Sequence, residues 1–227
     1  MYRKFFDCDR QEIMRNYFLN TLSKLGQVKK YNKNEVLDKD CGGSVGIVVK
    51  GVVKQSIISL NGHEKVLYII RCGEIVGEMI YFCGGIDSIV TTAKEYVEIA
   101  ILSQEILERE LSFEPQIYKY FMHSMTRKFR IVMLQLTNAI FNDARGQLAD
   151  ALLRLSSTAE PDSEGIVTLN RIYTHEELAN NIGCSRITVT RCLNEFLKNG
   201  VICYDAKKII ISKPEVLKTY IDLIVEE

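Results

Sequence analysis

The sequence predicts an α+β protein of two domains: a β-barrel or jelly roll towards the amino terminus and a helix-turn-helix unit towards the carboxy terminus, with one long helix between them. Three observations predict it. Short β-branched runs punctuated by glycine fill residues 29–102, an apolar stripe at helical spacing follows Pro115, and a capped helix pair turns at Gly183. A chain of 227 residues is long enough for two modest domains, each burying its own core.

Residues 45–49, 52–60, 66–70 and 89–101 read as strands, behind a short helical lead at 14–25. Asn61-Gly62 stands between two of the runs, and Asn-Gly signals a hairpin because both residues accept positive φ. Several short strands at this spacing predict a barrel or jelly roll rather than a parallel sheet. The start, MYRKFFDCDR, lacks an apolar region behind its basic residues, and no eighteen-residue apolar run occurs anywhere. A cytoplasmic protein with no membrane partner is expected. The 29 basic and 29 acidic residues cancel, so any attraction to nucleic acid must come from a local patch. The seven cysteines, Cys8, Cys41, Cys72, Cys83, Cys184, Cys192 and Cys203, form no C-x-x-C pair, and the three histidines, His63, His123 and His175, lie far apart. That pattern argues against a disulfide framework and against a zinc or iron-sulfur site, so neither metal nor cofactor is expected.

After Pro115, Phe121, Met125, Phe129, Val132, Leu136 and Ile140 recur at spacings of three and four with no helix breaker between them. The spacing predicts one long amphipathic helix. Its apolar face outlasts what a small barrel can cover, which favours a coiled-coil-like dimer seam over ordinary core. A second helix at 144–155, a polar loop at 156–165 and a short strand at 166–169 follow. The expected boundaries are 1–113 for the barrel domain, 114–141 for the long helix and 142–227 for the last domain.

Thr174-His175-Glu176-Glu177 has the form of a capping box, with Leu178, Ala179 and Ile182 giving the helix it starts one apolar face. Gly183 supplies a tight exit, and Ser185 caps a second helix whose Val189, Cys192, Leu193 and Phe196 fall at i, i+3, i+4 and i+7. This is a helix-turn-helix. Subtracting the buried positions leaves Arg186, Ile187, Thr190, Arg191 and Asn194 outward, where a recognition helix meets base edges. Arginine can chelate guanine O6 and N7, and Ile187 can pack on a thymine methyl. Thr174, Ser185 and Thr188 stand where hydroxyls and helix amino termini grip phosphates. Two strands around Asp205-Ala206-Lys207-Lys208 make a wing, with its two lysines, Lys207 and Lys208, as further phosphate contacts. The bland alternative is a solvated helical hairpin whose arginines only balance Glu195 and its neighbours.

With these residues in place, the chain resembles the CRP/FNR family of bacterial transcription regulators over nearly its whole length. The stretch GCSRITVTRCLNEFLKNGVI is similar to the family's recognition helix, GEIVGEMIYFCGG to the glycine-rich turn of its cyclic-nucleotide-binding jelly roll, and DARGQLADALLRL to the opening of its DNA-binding domain. The resemblance implies a homodimer joined by the long helix, a small-molecule effector in the barrel, paired recognition helices on palindromic promoter DNA, and RNA polymerase as a partner. It places the effector pocket at Gly77, Glu78, Met79, Asp87 and Ser88, with Val132 and Met133 where family members read the purine. In cyclic-AMP binders an Arg-Ser pair neutralises the cyclic phosphate, whereas this chain has Asp87-Ser88. Two like charges at contact cost about 4 kcal/mol at an effective dielectric of about 20. An effector other than cAMP, apolar or aromatic, is therefore expected.

Other departures shape the same expectation. Only Cys8 stands where the oxygen-sensing branch carries a cysteine cluster, and Ile187 replaces the glutamate that many members use to read cytosine, which favours an A·T-rich site. The run Thr188-Val189-Thr190-Arg191 is similar to that of the halorespiration regulators, whose effectors are chlorinated aromatics. Redox-sensitive relatives further imply a regulatory disulfide between Cys8 of one subunit and Cys203 of the other. Two readings from other classes stand beside this one: a cupin-like metal enzyme using the barrel, and a ligand sensor that never binds DNA.

Overall fold

The computed structural model describes residues 6–37, 44–85, 88–156, 159, 162–163 and 165–222. The chain divides into two compact units, one of Phe6–Gly62 with Val66–Ile131 and the other built on Val132–Glu227.

In the first unit, helix α1 (Cys8–Asn20) starts where the Asp7 carboxylate accepts from the Arg10 amide, and it buries Met14 and Phe18. The strands are β1 (Gln27–Tyr31), β2 (Val45–Lys50), β3 (Val53–Ile58), β4 (Glu64–Ile70), β5 (Ile75–Val76), β6 (Val90–Ala93) and β7 (Val97–Leu102). They form two sheets in the orders β1-β7-β2-β5 and β4-β3-β6, with β1–β7, β7–β2, β2–β5 and β3–β6 antiparallel, so the jelly-roll expectation holds. Sequence neighbours that are not sheet neighbours, such as β1 and β2 on either side of β7, are what a two-sheet roll requires. Helices α2 (Glu78–Cys83) and α3 (Gln104–Phe113) complete the unit, and Val45, Ile47, Ile75, Leu102, Leu107 and Leu111 join Met14 and Phe18 in its core.

Three expectations change in detail. The 89–101 run is two strands, because the chain turns at 94–96 to put β6 and β7 in different sheets. At the β3–β4 turn only Gly62 has positive φ, at 79°; its amide donates to Ser59 O at 2.9 Å, so the loop is longer than a two-residue Asn-Gly turn. The third concerns the long helix α4 (Gln116–Phe141), whose apolar residues divide between two faces. Ile117, Phe121, Ser124 and Lys128 are buried, whereas Met122, Phe129, Met133, Leu136 and Ile140 are 44–66% exposed. Phe121 thus belongs to the barrel core rather than to an outward seam.

The second unit holds α5 (Ala144–Ser156), β8 (Val167–Thr168), α6 (His175–Ile182), α7 (Arg186–Lys198), β9 (Ile202–Asp205), β10 (Lys208–Ile211) and α8 (Pro214–Thr219). Its sheet runs β8-β10-β9, and Leu148, Leu152, Leu178, Leu193, Phe196, Ile209 and Leu217 form one core beneath it. The end of α4 is tied in through polar groups: Asn138 Nδ2 and Arg154 Nε both donate to Asp150 Oδ2 at 2.9 Å. Burial pushes the Asp150 carboxyl up, and Arg154 opposes that shift. Among the described residues no helix is long and apolar enough to cross a membrane.

Candidate functional site

The outward face of α7 is built from local signals that agree. Thr174 Oγ1 accepts from the Glu177 amide at 3.1 Å while the Thr174 amide donates to Glu177 Oε2 at 3.0 Å, so the capping box is present. Gly183, at φ 79° and ψ 35°, takes the left-handed conformation that ends α6 within one residue. Ser185 then caps α7 by accepting from the Thr188 amide at 3.1 Å. Val189, Cys192, Leu193 and Phe196 turn inward, and burial pushes the Cys192 thiol up.

What remains outside is the predicted set. Arg186, Ile187, Thr190, Arg191 and Asn194 line one open hollow of about 400 Å³. Ile187 is 81% exposed on this face, with Arg186 and Arg191 lining the same hollow. The arginines do not serve Glu195, which instead accepts from Arg145 at 2.8 Å, while Glu177 accepts from Arg171 at 2.9 Å. Among the described residues neither the Arg186 nor the Arg191 guanidinium has an ion pair or hydrogen bond. Thr188 lies at the same helix end, its hydroxyl 2.9 Å from Ser185 Oγ. The wing forms as expected, its two-residue turn placing Ala206 at φ 45° and Lys207 at φ 67°. For residues with a Cβ the left-handed region costs about 1–2 kcal/mol each, and here it projects the exposed Lys207 from the tip.

The residues expected to form the effector pocket lie in separate elements of the chain. Gly77 has φ 86°, and a Cβ there would stand 2.7 Å from Ser44 O, so only glycine fits this turn into α2. Glu78 is buried, with Oε1 2.5 Å from Lys128 Nζ; the same ammonium donates to Ile75 O at 2.9 Å and lies 5.6 Å from the Tyr68 ring centroid. Met79 and Ser88 are exposed; Asp87 lies outside the described residues. Val132 is half-buried and Met133 exposed on α4. Cys8 and Cys203 are both exposed, each in its own unit.

Sequence reasoning missed three groups. Lys128 is the fourth residue of the buried row Ile117, Phe121, Ser124, Lys128, and only the burial of that row, not its spacing, marks a charge that demands a partner. Glu74, the other glutamate of GEIVGE, accepts from Gln11 Nε2 at 2.8 Å, Arg15 at 2.7 Å and the Arg71 amide at 2.7 Å, with Arg127 at 3.5 Å. No local pattern announces such a hub. His123 donates through Nε2 to Gln11 Oε1 at 3.0 Å, a structural role, and burial pushes its pKa down, assisted by Arg10 and Arg127. After Lys128 and Glu74 the third missed group is His175, which sequence reading placed only at a helix start; its Nδ1 is 2.8 Å from Thr190 Oγ1. Among the described residues no three His, Cys, Asp or Glu side chains group as a metal site.

Comparison with known proteins places both regions in families. Residues 28–112 match the cyclic nucleotide-binding domain and residues 146–220 the Crp-like helix-turn-helix domain. A relative from Mycobacterium tuberculosis, a CRP-like cAMP-activated global transcriptional regulator, is 27% identical over 174 residues, covering 77% of this chain and 78% of its own. Among solved structures, the c-di-GMP-responsive global regulator CLP of Xanthomonas campestris is similar at a TM-score of 0.74 and 22% identity, over 90% of this chain and 99% of that one. The OCPA complex of CprK is similar at a TM-score of 0.72 and 18% identity, over 90% and 93% of the two chains. These two likenesses speak to the fold.

Proposed function

The chain belongs to the CRP/FNR family of transcription regulators, and from that premise we propose that it works as a homodimer whose two α7 helices read a palindromic promoter site under the control of a small molecule other than cAMP or of redox state through Cys8 and Cys203. It is a DNA-binding transcription regulator and not an enzyme, so the cupin-like alternative falls. The observation that carries the DNA reading is the row of Arg186, Ile187, Thr190 and Arg191 around one hollow, with both guanidinium groups free of ion pairs among the described residues. Thr174, Ser185 and Thr188 at the helix starts and Lys207 on the wing serve as phosphate contacts in this reading. RNA polymerase is the partner through which bound protein acts. The outward face of α4 supports the dimer: Met122, Phe129, Met133, Leu136 and Ile140 are spaced by seven, four, three and four, the spacing of a coiled-coil seam. Exposed Met79 and Phe82 beside the Gly77 turn support an apolar or aromatic effector.

One titration with three arms tests the reading. A labelled palindromic fragment, its half-sites about 34 Å apart, is expected to bind with strong salt dependence. Arg191→Ala is expected to lose about 1–3 kcal/mol on the specific site and far less on random duplex. Equal loss on both would make Arg191 a phosphate contact, and salt-insensitive binding would remove the DNA reading altogether. In the second arm, added cAMP leaves the curve unchanged; a shift at micromolar cAMP would reject the effector class. In the third, oxidation yields a covalent dimer on a non-reducing gel that Cys8→Ser abolishes; a monomer band under oxidation ends the Cys8–Cys203 proposal.

A further inference from the structure

Thr190 is the only hydroxyl among the five residues lining the α7 hollow, and its hydroxyl is already committed. Oγ1 lies 2.9 Å from Arg186 O, one turn back, and 2.8 Å from His175 Nδ1 on the first turn of α6. A threonine hydroxyl has one proton, and a carbonyl oxygen can only accept, so the proton goes to Arg186 O. Oγ1 must then accept a hydrogen bond from His175 Nδ1. A threonine bonded back along its own helix is common and would mean little. The contact from a second helix, at the residue after the Thr174 cap, is independent of that habit.

We propose that His175 is a positioning residue for base selection, holding the Thr190 hydroxyl against the helix so that Thr190 offers DNA its methyl group rather than a donor. Beside Ile187, that methyl makes an apolar surface complementary to the 5-methyl of a thymine in the major groove. A free threonine hydroxyl would accept or donate to several bases, and its capture narrows the preference to thymine. The inference rests on the DNA reading above and adds the base and the residue that imposes it.

The test uses the full-length protein and a half-site obtained by selection from random duplex. Each thymine is replaced in turn by deoxyuridine, which lacks only the methyl. At one thymine per half-site, binding is expected to weaken about four-fold, the transfer value of one methyl-sized group. His175→Ala is expected to abolish that deoxyuridine penalty while leaving the affinity for random duplex unchanged. His175→Asn, whose amide N–H stands near the Nδ1 position, retains the penalty, and His175→Gln does not. Adding Thr190→Val to His175→Ala restores it, because valine presents methyl groups alone. A wild-type protein with no deoxyuridine penalty at any position, or a penalty untouched in His175→Ala with an unchanged melting curve, overturns the proposal. Absence of sequence-specific binding to any duplex is a different result and removes the DNA reading beneath it.

Discussion

Replacing Lys128 by methionine is expected to destabilise the amino-terminal unit by about 3–5 kcal/mol, the usual consequence of removing one partner from a buried ion pair. The side chains of Lys128 and Glu78 are 10% and 7% exposed, and the ammonium serves both Glu78 Oε1 and Ile75 O. Methionine keeps the length and apolar stem of lysine, so packing is nearly preserved and the loss is that of charge and two hydrogen bonds. Glu78 is then left as a carboxylate with neither water nor counter-charge. The double variant Lys128→Met with Glu78→Leu removes both charges and should recover most of the loss, since a buried pair is worth little against apolar residues that fill the same space. Urea unfolding followed by far-ultraviolet circular dichroism measures both. A single variant within about 1 kcal/mol of the parent, a size typical of exposed pairs, would mean that water reaches the pair.

That pair also marks where sequence reading stops. The capping box at Thr174, the left-handed Gly183, the Ser185 cap and the inward stripe of α7 were all legible because each is a contact between residues within a few positions of one another. Backbone geometry fixes such contacts, so spacing is enough. The exposed face of α7 followed by subtraction, and all five residues it left line the hollow. The stripe on α4 was legible as a helix and misjudged as a face. Phe121 and Phe129 are eight residues apart, and the helix turns by about 100° per residue, so a period near 3.6 cannot alone say which of two adjoining rows meets the barrel. Burial at Lys128 separates them, because a lysine is buried only where a partner waits. The His175–Thr190 contact spans fifteen residues and two helices, and the Gln11–Glu74 contact spans sixty-three. No periodicity encodes such distances; the fold alone brings these groups together.

Glu74→Ala is the second large effect expected, and it bears on how the barrel holds α4. The two glutamates of GEIVGE, Glu74 and Glu78, grip successive residues of that helix, Arg127 and Lys128. Glu74 is itself 4% exposed and also takes the Arg15 guanidinium, the Gln11 amide and the Arg71 amide, so its loss strands several donors at once. Arg15 and Arg127 retain 32% and 28% exposure, and long stems let their heads turn to water. That relief puts the expected cost near 3 kcal/mol, at the lower end of the range for a broken buried pair. Glu74→Gln keeps an oxygen for the Arg71 amide and should cost less. Burial already pushes the Arg127 pKa down while Glu74 pushes it up, so removing Glu74 leaves burial unopposed by its main counter-charge. Because both anchors hold one rigid helix, the losses from Glu74→Ala and Lys128→Met should not add. Once either carboxylate releases α4, the other grips a helix already loosened, and the double variant should fall short of the sum by more than about 0.5 kcal/mol. Strict additivity in urea unfolding would show that the two glutamates hold α4 independently and that the repeat in GEIVGE has no joint mechanical role.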